Sequence, residues 1–299
     1  MPELFLTIFF ISILLLFLGS GVWVAISMIG VSSIGMFIFT SRPVGDAMAT
    51  TIWGTSSSWT LTALPLFVWM GEILFRTKLS ENLFKGLAPW MSRLPGGLIH
   101  VNIVGCALFA AISGSSAATV ATVGKMSIPE LRKRNYPEKI LLGSLAGSGT
   151  LGLLIPPSII LIIYGVTVQE SIAKLFIAGI IPGIMIAIIF MFYVIIWSII
   201  NKKEMPTSNE SFSFIEKIKG SKQLLPIILL ITAVIGSIYA GIATATEAAS
   251  LGVVGALILS FFQKSLNKET FKLSLLGATK TSCMIAFILA GSSFLSLAM

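Results

Sequence analysis

The chain has 299 residues, of which 56% are hydrophobic and only 11% charged, with a formal net charge of +8. Soluble domains carry about 25% charged residues, so this composition excludes a separate soluble domain and predicts an all-α polytopic membrane protein. The positive excess does not point to nucleic acid, because it is gathered into alternate loops, as membrane topology dictates.

Uncharged runs cover 4–41, 47–71, 140–169, 175–201, 223–246, 248–263 and 281–299. Several exceed the roughly 20 residues that cross a bilayer. The basic residues fall between them. One group is Arg76, Lys78, Lys85 and Arg93, and the next is Lys125, Arg132, Lys133, Arg134 and Lys139. Lys202, Lys203, Lys217, Lys219 and Lys222 form a third, and Lys264, Lys268 and Lys272 a fourth, while the opposite loops hold only Arg42 and Lys174. The asymmetry predicts an outside N-terminus, with 76–97, 127–138 and 201–222 on the cytoplasmic side.

Leu4 to Leu18 reads as a first span, broken by Gly19-Ser20-Gly21, and Val22 to Thr40 as the second. Met1-Pro2-Glu3 lacks a basic leader region, so the first span is expected to be retained. Ser41-Arg42-Pro43 is a turn. Thr51 to Phe75 reads as the third span, with Pro65 inside it as an expected kink. Glu72 and Arg76 are four apart and are expected to pair. From Lys78 to Arg93 apolar residues recur at helical spacing among charges, predicting an amphipathic arm at the cytoplasmic surface.

Leu98 to Met126 is flanked by basic loops at both ends, so both ends belong on one side. About 15 residues go in and about 12 come out at ~1.5 Å each, too few to cross a core of ~30 Å. A re-entrant hairpin is predicted, with Ser113-Gly114-Ser115-Ser116 at its tip; the other reading is a single ordinary span. Tyr136-Pro137-Glu138-Lys139 opens the next helix. Gly147 to Ser158, carrying Gly149, Gly152, Pro156 and Pro157, is expected to break it near mid-membrane. Two such interruptions close in sequence are the usual trace of a site built from half-helices.

Leu175 to Ile200 is a long span, 201–222 a polar loop, and Leu224 to Tyr239 another span. Thr244-Ala245-Thr246-Glu247 is a capping-box pattern opening Ala248 to Phe262. Asn267 to Lys280 reads as a second arm and Thr281 to Met299 as a last span. The order over 224–299 loosely echoes that over 4–75 from the opposite side, the plan of an inverted repeat. Cys106 and Cys283 read as small core residues, and His100 is the only histidine. An intramembrane enzyme would need clustered acids, histidines or a metal set, which the apolar runs do not offer.

At these residues the chain resembles the large membrane subunit of tripartite ATP-independent periplasmic (TRAP) transporters. The matching blocks are Leu64-Pro65-Leu66-Phe67 with Gly71-Glu72, Leu94-Pro95-Gly96-Gly97, and Ser113-Gly114-Ser115-Ser116-Ala117-Ala118-Thr119. They continue with Gly149-Thr150-Leu151-Gly152, Ile155-Pro156-Pro157-Ser158, and Thr244-Ala245-Thr246-Glu247-Ala248-Ala249. The family usually has proline where Ala245 stands, and is longer by more than a hundred residues. The second hairpin and second broken helix are therefore expected outside 1–299, leaving an incomplete second repeat.

The resemblance implies a sodium-coupled importer of organic anions, carboxylates or sugar acids, in the bacterial inner membrane. It implies an elevator mechanism, a small membrane subunit and a periplasmic substrate-binding protein as partners, and no cofactor beyond the coupling sodium. In those terms 1–75 is scaffold with the first spans, 76–97 the arm, and 98–168 the transport-domain hairpin and broken helix. Residues 169–263 are scaffold spans with the loop 201–222, 264–280 a second arm, and 281–299 the start of the second transport half. Other functions stay open: a stand-alone sodium-coupled dicarboxylate or ion-exchanging permease, and an inactive truncated product.

Sodium wants oxygen ligands. Hairpin tips and broken helices supply carbonyls and hydroxyls, so Ser113, Gly114, Ser115, Ser116, Gly149, Thr150 and Gly152 are the expected ion ligands. Half-helix N-termini at Ser116 and Pro157, with Ser158, are the expected substrate contacts. The competing reading is close helix packing by small residues, strongest for Gly147 and Ser148. Without the second half, Gly291, Ser292, Ser293 and Ser296 are expected to face lipid.

Overall fold

The computed structural model describes residues 2–77, 79–206 and 214–299, and all regular structure among them is helical. The chain divides into two compact units, 1–62 with 280–299, and 63–279.

The first unit begins with α1 (Pro2–Gly19), α2 (Val24–Phe39) and α3 (Val44–Ser56). The α1 helix is apolar all round and leaves Leu4, Phe5, Leu15 and Leu16 exposed, as a lipid-facing helix does. It packs on α2 through glycines: the Phe10 ring occupies the space above Gly35, and Phe17 lies 3.0 Å from where a Cβ on Gly30 would stand. Serines inside α2 are satisfied locally, with the Ser32 and Ser33 hydroxyls donating to the Met28 and Ile29 carbonyls at 2.6 and 2.8 Å.

The third predicted span is not one helix. The helix starts earlier, at Val44, and stops at Ser56; a 3₁₀ turn follows over Trp59–Thr62, and then α4 (Ala63–Phe75). Ser56, Ser57 and Ser58 explain the break, since serine hydroxyls compete with the helical ladder for backbone groups. Pro65 falls in the first turn of α4, where its missing N–H costs nothing, so it starts a helix and does not kink one.

The second unit continues with α5 (Leu79–Met91), α6 (Ile99–Ser113), α7 (Ser116–Lys133) and α8 (Glu138–Gly149). A 3₁₀ turn over Thr150–Leu153 leads to α9 (Ile159–Val168), then α10 (Ile172–Ile200), α11 (Phe214–Ser221), α12 (Leu225–Tyr239), α13 (Ala245–Phe262) and α14 (Lys268–Ala298), whose residues from Lys280 onward belong to the first unit. The centre is α6, whose residues from Ile99 to Ser113 are nearly all buried. It packs against α4, α5, α7, α8 and α10, which is why its sequence is apolar on every side. The α4 helix packs most extensively on α13, where a Cβ on Gly252 would meet the Met70 sulfur at 2.5 Å. Glu72 and Arg76 pair at 3.0 Å, and a Cβ on Gly277 of α14 would lie 2.5 Å from the Glu72 carboxylate.

The predicted arm is α5, with Leu83, Leu87 and Ala88 buried. Its partner lies in the segment expected to be a polar loop. That expectation fails over Phe214–Ser221, which forms α11 with Lys217 buried and Ile215 and Ile218 exposed; residues 207–213 lie outside those described. The Trp90 indole N–H donates to the Ser221 hydroxyl at 2.8 Å, and the Lys217 ammonium sits 5.4 Å from the Trp90 ring centre.

Asn267 to Lys280 and Thr281 to Met299 also merge, into the single 31-residue α14. The Asn267 side chain caps it by accepting from the Thr270 N–H at 2.6 Å, and no proline interrupts the helix afterwards. Gly291 is buried, a Cβ there falling 2.9 Å from the Ala25 carbonyl of α2. Ser293 is half-buried, and only Ser292 and Ser296 of the four expected residues are exposed. Among the described residues, three helices, α10, α13 and α14, are long and apolar enough to cross a membrane unaided, and α3 with Trp59–Phe75 reaches that length only as a pair bent by 58°.

The capping box at α13 forms as predicted: Thr244 Oγ1 accepts from the Glu247 N–H at 3.4 Å, while the Glu247 carboxylate accepts from the Thr244 N–H at 2.8 Å. Thr244→Ala is expected to cost about 1 kcal/mol. Faster hydrogen exchange confined to the first turn of α13 is the check; unchanged exchange there overturns the assignment.

Candidate functional site

The hairpin forms where the sequence places it. The α6 helix ends at Gly114, which takes the left-handed conformation with φ +59°, and Ser115 turns extended before α7 begins. The return limb runs to Lys133, seven residues beyond the expected Met126. Its charged end is fastened to α8, where Arg132 and Glu138 pair at 2.6 and 3.2 Å; Arg132, through its hydrogen bond, holds the Glu138 carboxyl below the usual range.

Within the tip, the Ser113 and Thr119 hydroxyls lie 3.0 Å apart, and the Ser115 N–H donates to Ser113 Oγ at 3.3 Å. Ser115 Oγ accepts from the Ala118 N–H at 3.4 Å, so this serine caps α7. Ser116 is different. Its hydroxyl oxygen is buried with no hydrogen-bond partner among the described residues. An unsatisfied buried hydroxyl costs about 1–3 kcal/mol, and among the tip serines Ser116 alone is in that position.

The broken helix meets the tip directly. The α8 helix tightens into the 3₁₀ turn Thr150–Leu153, and Leu154 to Ser158, with a cis bond between Pro156 and Pro157, carry the chain across to α9. The Ile159 N–H donates to the Gly114 carbonyl at 3.2 Å. A Cβ on Gly114 would meet the Pro157 carbonyl at 2.5 Å. A Cβ on Gly152 would fall 2.9 Å from the Ser116 nitrogen and 3.0 Å from the Ser115 carbonyl carbon. Val120 fills the space above Gly149. Backbone therefore lies against backbone, which only glycine allows.

Six of the expected ion-site residues thus converge: Ser113, Gly114, Ser115, Ser116, Gly149 and Gly152. Thr150 does not join them; it is exposed, and its hydroxyl donates to Gly147 of its own helix at 2.7 Å. Nor does Pro157 open a half-helix. The helix opens at Ile159, and Pro157 is buried under Gly114. Ser158 turns its hydroxyl to the Leu153 carbonyl at 2.7 Å, closing the broken loop. Gly147 and Ser148 serve packing: the Phe190 ring lies 3.6 Å from a Cβ on Gly147, and Ser148 donates to the Ser144 carbonyl at 2.6 Å.

Two contributors escaped the sequence reading. Gly71 of α4 brings the third wall to the tip, since a Cβ there would lie 2.8 Å from the Ser113 Cα; a lone glycine in an apolar helix was its signal. Asn102 is fully buried and ties α6 to α8, donating to Ser144 Oγ at 3.0 Å and to the Leu141 carbonyl at 3.3 Å.

The tip holds the carbonyl end of α6, with its partial negative charge, beside hydroxyls and a turn of unwound backbone. No group of three or more His, Cys, Asp or Glu residues placed to hold a metal ion occurs among the described residues. The polar atoms gathered at the tip are neutral carbonyl and hydroxyl oxygens, a type that suits hard cations.

Residues 10–299 match the family model described as the tripartite ATP-independent periplasmic transporter, DctM component. The chain belongs to the DctM family. A C4-dicarboxylate TRAP transporter large permease protein of Pseudomonas aeruginosa is 33% identical over 247 residues, 82% of this chain and 57% of the relative. An ectoine TRAP transporter large permease protein of Halomonas elongata is 33% identical, covering 78% of this chain and 55% of its own length. An isethionate TRAP transporter permease protein of Oleidesulfovibrio alaskensis is 32% identical, covering 92% and 43%. This DctM chain spans about half the length of these relatives. They are named as transporter permeases, not as enzymes.

Proposed function

We propose that the chain forms the membrane permease of a sodium-coupled secondary transporter that imports organic anions across the bacterial inner membrane. The observation that carries this reading is the hairpin tip seated on a broken helix, with the Ser116 hydroxyl buried and without a partner. The family description supports it in two respects: an ATP-independent transporter draws on another energy source, and a tripartite one has two further components. We assign those components to a small membrane subunit and a periplasmic binding protein that delivers the anion.

Sodium sits, on this proposal, among the oxygens of Ser113, Ser115 and Ser116, with Gly114, Gly149 and Gly152 permitting the close backbone approach. Of the expected anion contacts, the N-terminal turn of α7 at Ser116 is assigned to the anion, because Pro157 and Ser158 are buried and the Ser158 hydroxyl is held by the Leu153 carbonyl. The hairpin and broken helix move together as the transport element of an elevator, within an inverted-repeat architecture.

Uptake of labelled C4-dicarboxylate or isethionate into proteoliposomes tests this, using the full-length gene product with both partners. Uptake is expected only with an inward sodium gradient and only with the binding protein. Uptake without the binding protein points to a stand-alone carrier, and indifference to sodium overturns the coupling.

A further inference from the structure

A second feature of the 63–279 unit stands apart from the hairpin tip. Among the described residues, a cavity of about 1040 Å³ is lined by Arg76, Lys85, Lys125, Arg134 and Lys264, with the Glu130 carboxylate beside them. The five cations come from the end of α4, from α5, from the return limb α7 and from the turn after α13. Arg76 is already held by Glu72 at 3.0 Å, and Arg134 lies 3.9 Å from Glu130. Lys85, Lys125 and Lys264 have no ion-pair partner among the described residues.

Topology accounts for basic loops on one side, but it would leave the lysines spread over open surface. Here they line one concavity. Lys264 does so from a left-handed backbone with φ +51°, an uncommon conformation for a residue with a side chain. Asn267 and Thr270 add the N-terminal turn of α14, which carries positive partial charge. Phe75, Phe84, Met126 and Leu273 supply an apolar wall.

This combination specifies the ligand class. A monovalent carboxylate would leave several cations unmatched. A phosphate group carries a charge of about −1.5 to −2 at neutral pH when monoesterified and presents several strong acceptors. The volume exceeds what inorganic phosphate needs, leaving room for an organic body against the apolar wall. We propose that this cavity is a cytoplasmic-side binding site for a phosphate-bearing anion, with Lys85, Lys125 and Lys264 making the contacts and Arg76 and Arg134 shaping the field. The site does not depend on the transport reading above. Its ligand is a soluble organic phosphate or a phospholipid headgroup, which share this chemistry.

The test uses the full-length gene product, as wild type, as K125Q/K264Q, and as R42Q/K174Q, a control that removes the same charge from the opposite loops. Thermal unfolding in detergent is followed with inorganic pyrophosphate against sodium chloride of equal ionic strength. Phosphatidic acid retention is followed by native mass spectrometry after extraction from phosphatidylcholine nanodiscs doped with it, since its headgroup is a phosphomonoester. Stabilisation by pyrophosphate, weakened about tenfold or more in K125Q/K264Q and unchanged in the control, identifies a soluble phosphate ligand. Phosphatidic acid retention lost only in K125Q/K264Q, with no pyrophosphate effect, identifies a lipid headgroup. Neither effect, or equal loss in both double variants, overturns the site.

Discussion

Gly114→Val is expected to remove most of the folded protein. Two penalties act at one residue. The left-handed conformation at φ +59° costs a residue with a Cβ roughly 1–2 kcal/mol, and more for a β-branched one. The Cβ would also stand 2.5 Å from the Pro157 carbonyl and 3.2 Å from the Ile159 nitrogen. Both are backbone atoms, which a rotamer change cannot move aside, and overpacking of this kind costs roughly 1–3 kcal/mol. The sum is a large part of the ~5–15 kcal/mol that holds a typical fold. Gly143 provides the contrast. It is exposed in α8 with nothing within 4 Å of its Cβ position, and alanine there is expected to stabilise by roughly 0.5–1 kcal/mol. Thermal unfolding of the two variants, by fluorescence-detected size exclusion, checks this. A Gly114→Val protein that melts with the wild type would show that the tip and the broken helix do not touch.

Ser116→Ala is expected to change sign with the salt. In choline chloride the variant loses only a hydroxyl that is buried without a partner, so it melts at or above the wild type. If sodium binds at the tip as proposed, the wild type alone is expected to gain a linkage term in sodium chloride, about 2.7 kcal/mol once sodium reaches a hundred times its dissociation constant. The order then reverses. Ser115→Ala separates the roles of the two serines, because Ser115 caps α7 through the Ala118 N–H. It should lose about 1 kcal/mol of helix stability already in choline chloride, and part of the sodium-dependent gain as well in sodium chloride. Paired melting curves for the three proteins decide the matter, and a Ser116→Ala offset that is the same in both salts would remove Ser116 from the ion site.

What the sequence determined by itself is what one-dimensional rules govern. Long uncharged runs fixed a membrane protein, because unpaid desolvation of charge is not tolerated in lipid. Short limbs between basic loops fixed a hairpin with Ser113-Gly114-Ser115-Ser116 at its tip. Paired glycines and prolines fixed the break after Gly149, and the Thr244 to Glu247 pattern fixed a capping box, since both effects act over a few residues. Local rules failed where a distant partner intervened. Phe214–Ser221 is helical against α5, with Ser221 bonded to Trp90, and no composition rule sees a surface 131 residues away. Only the tertiary structure separated Ser115 from Ser116, turned Thr150 away, and brought Gly71 against Ser113. Which hydroxyl is satisfied and which glycine touches backbone depend on the three-dimensional path of the chain, and a flat pattern of small residues is the same in either case.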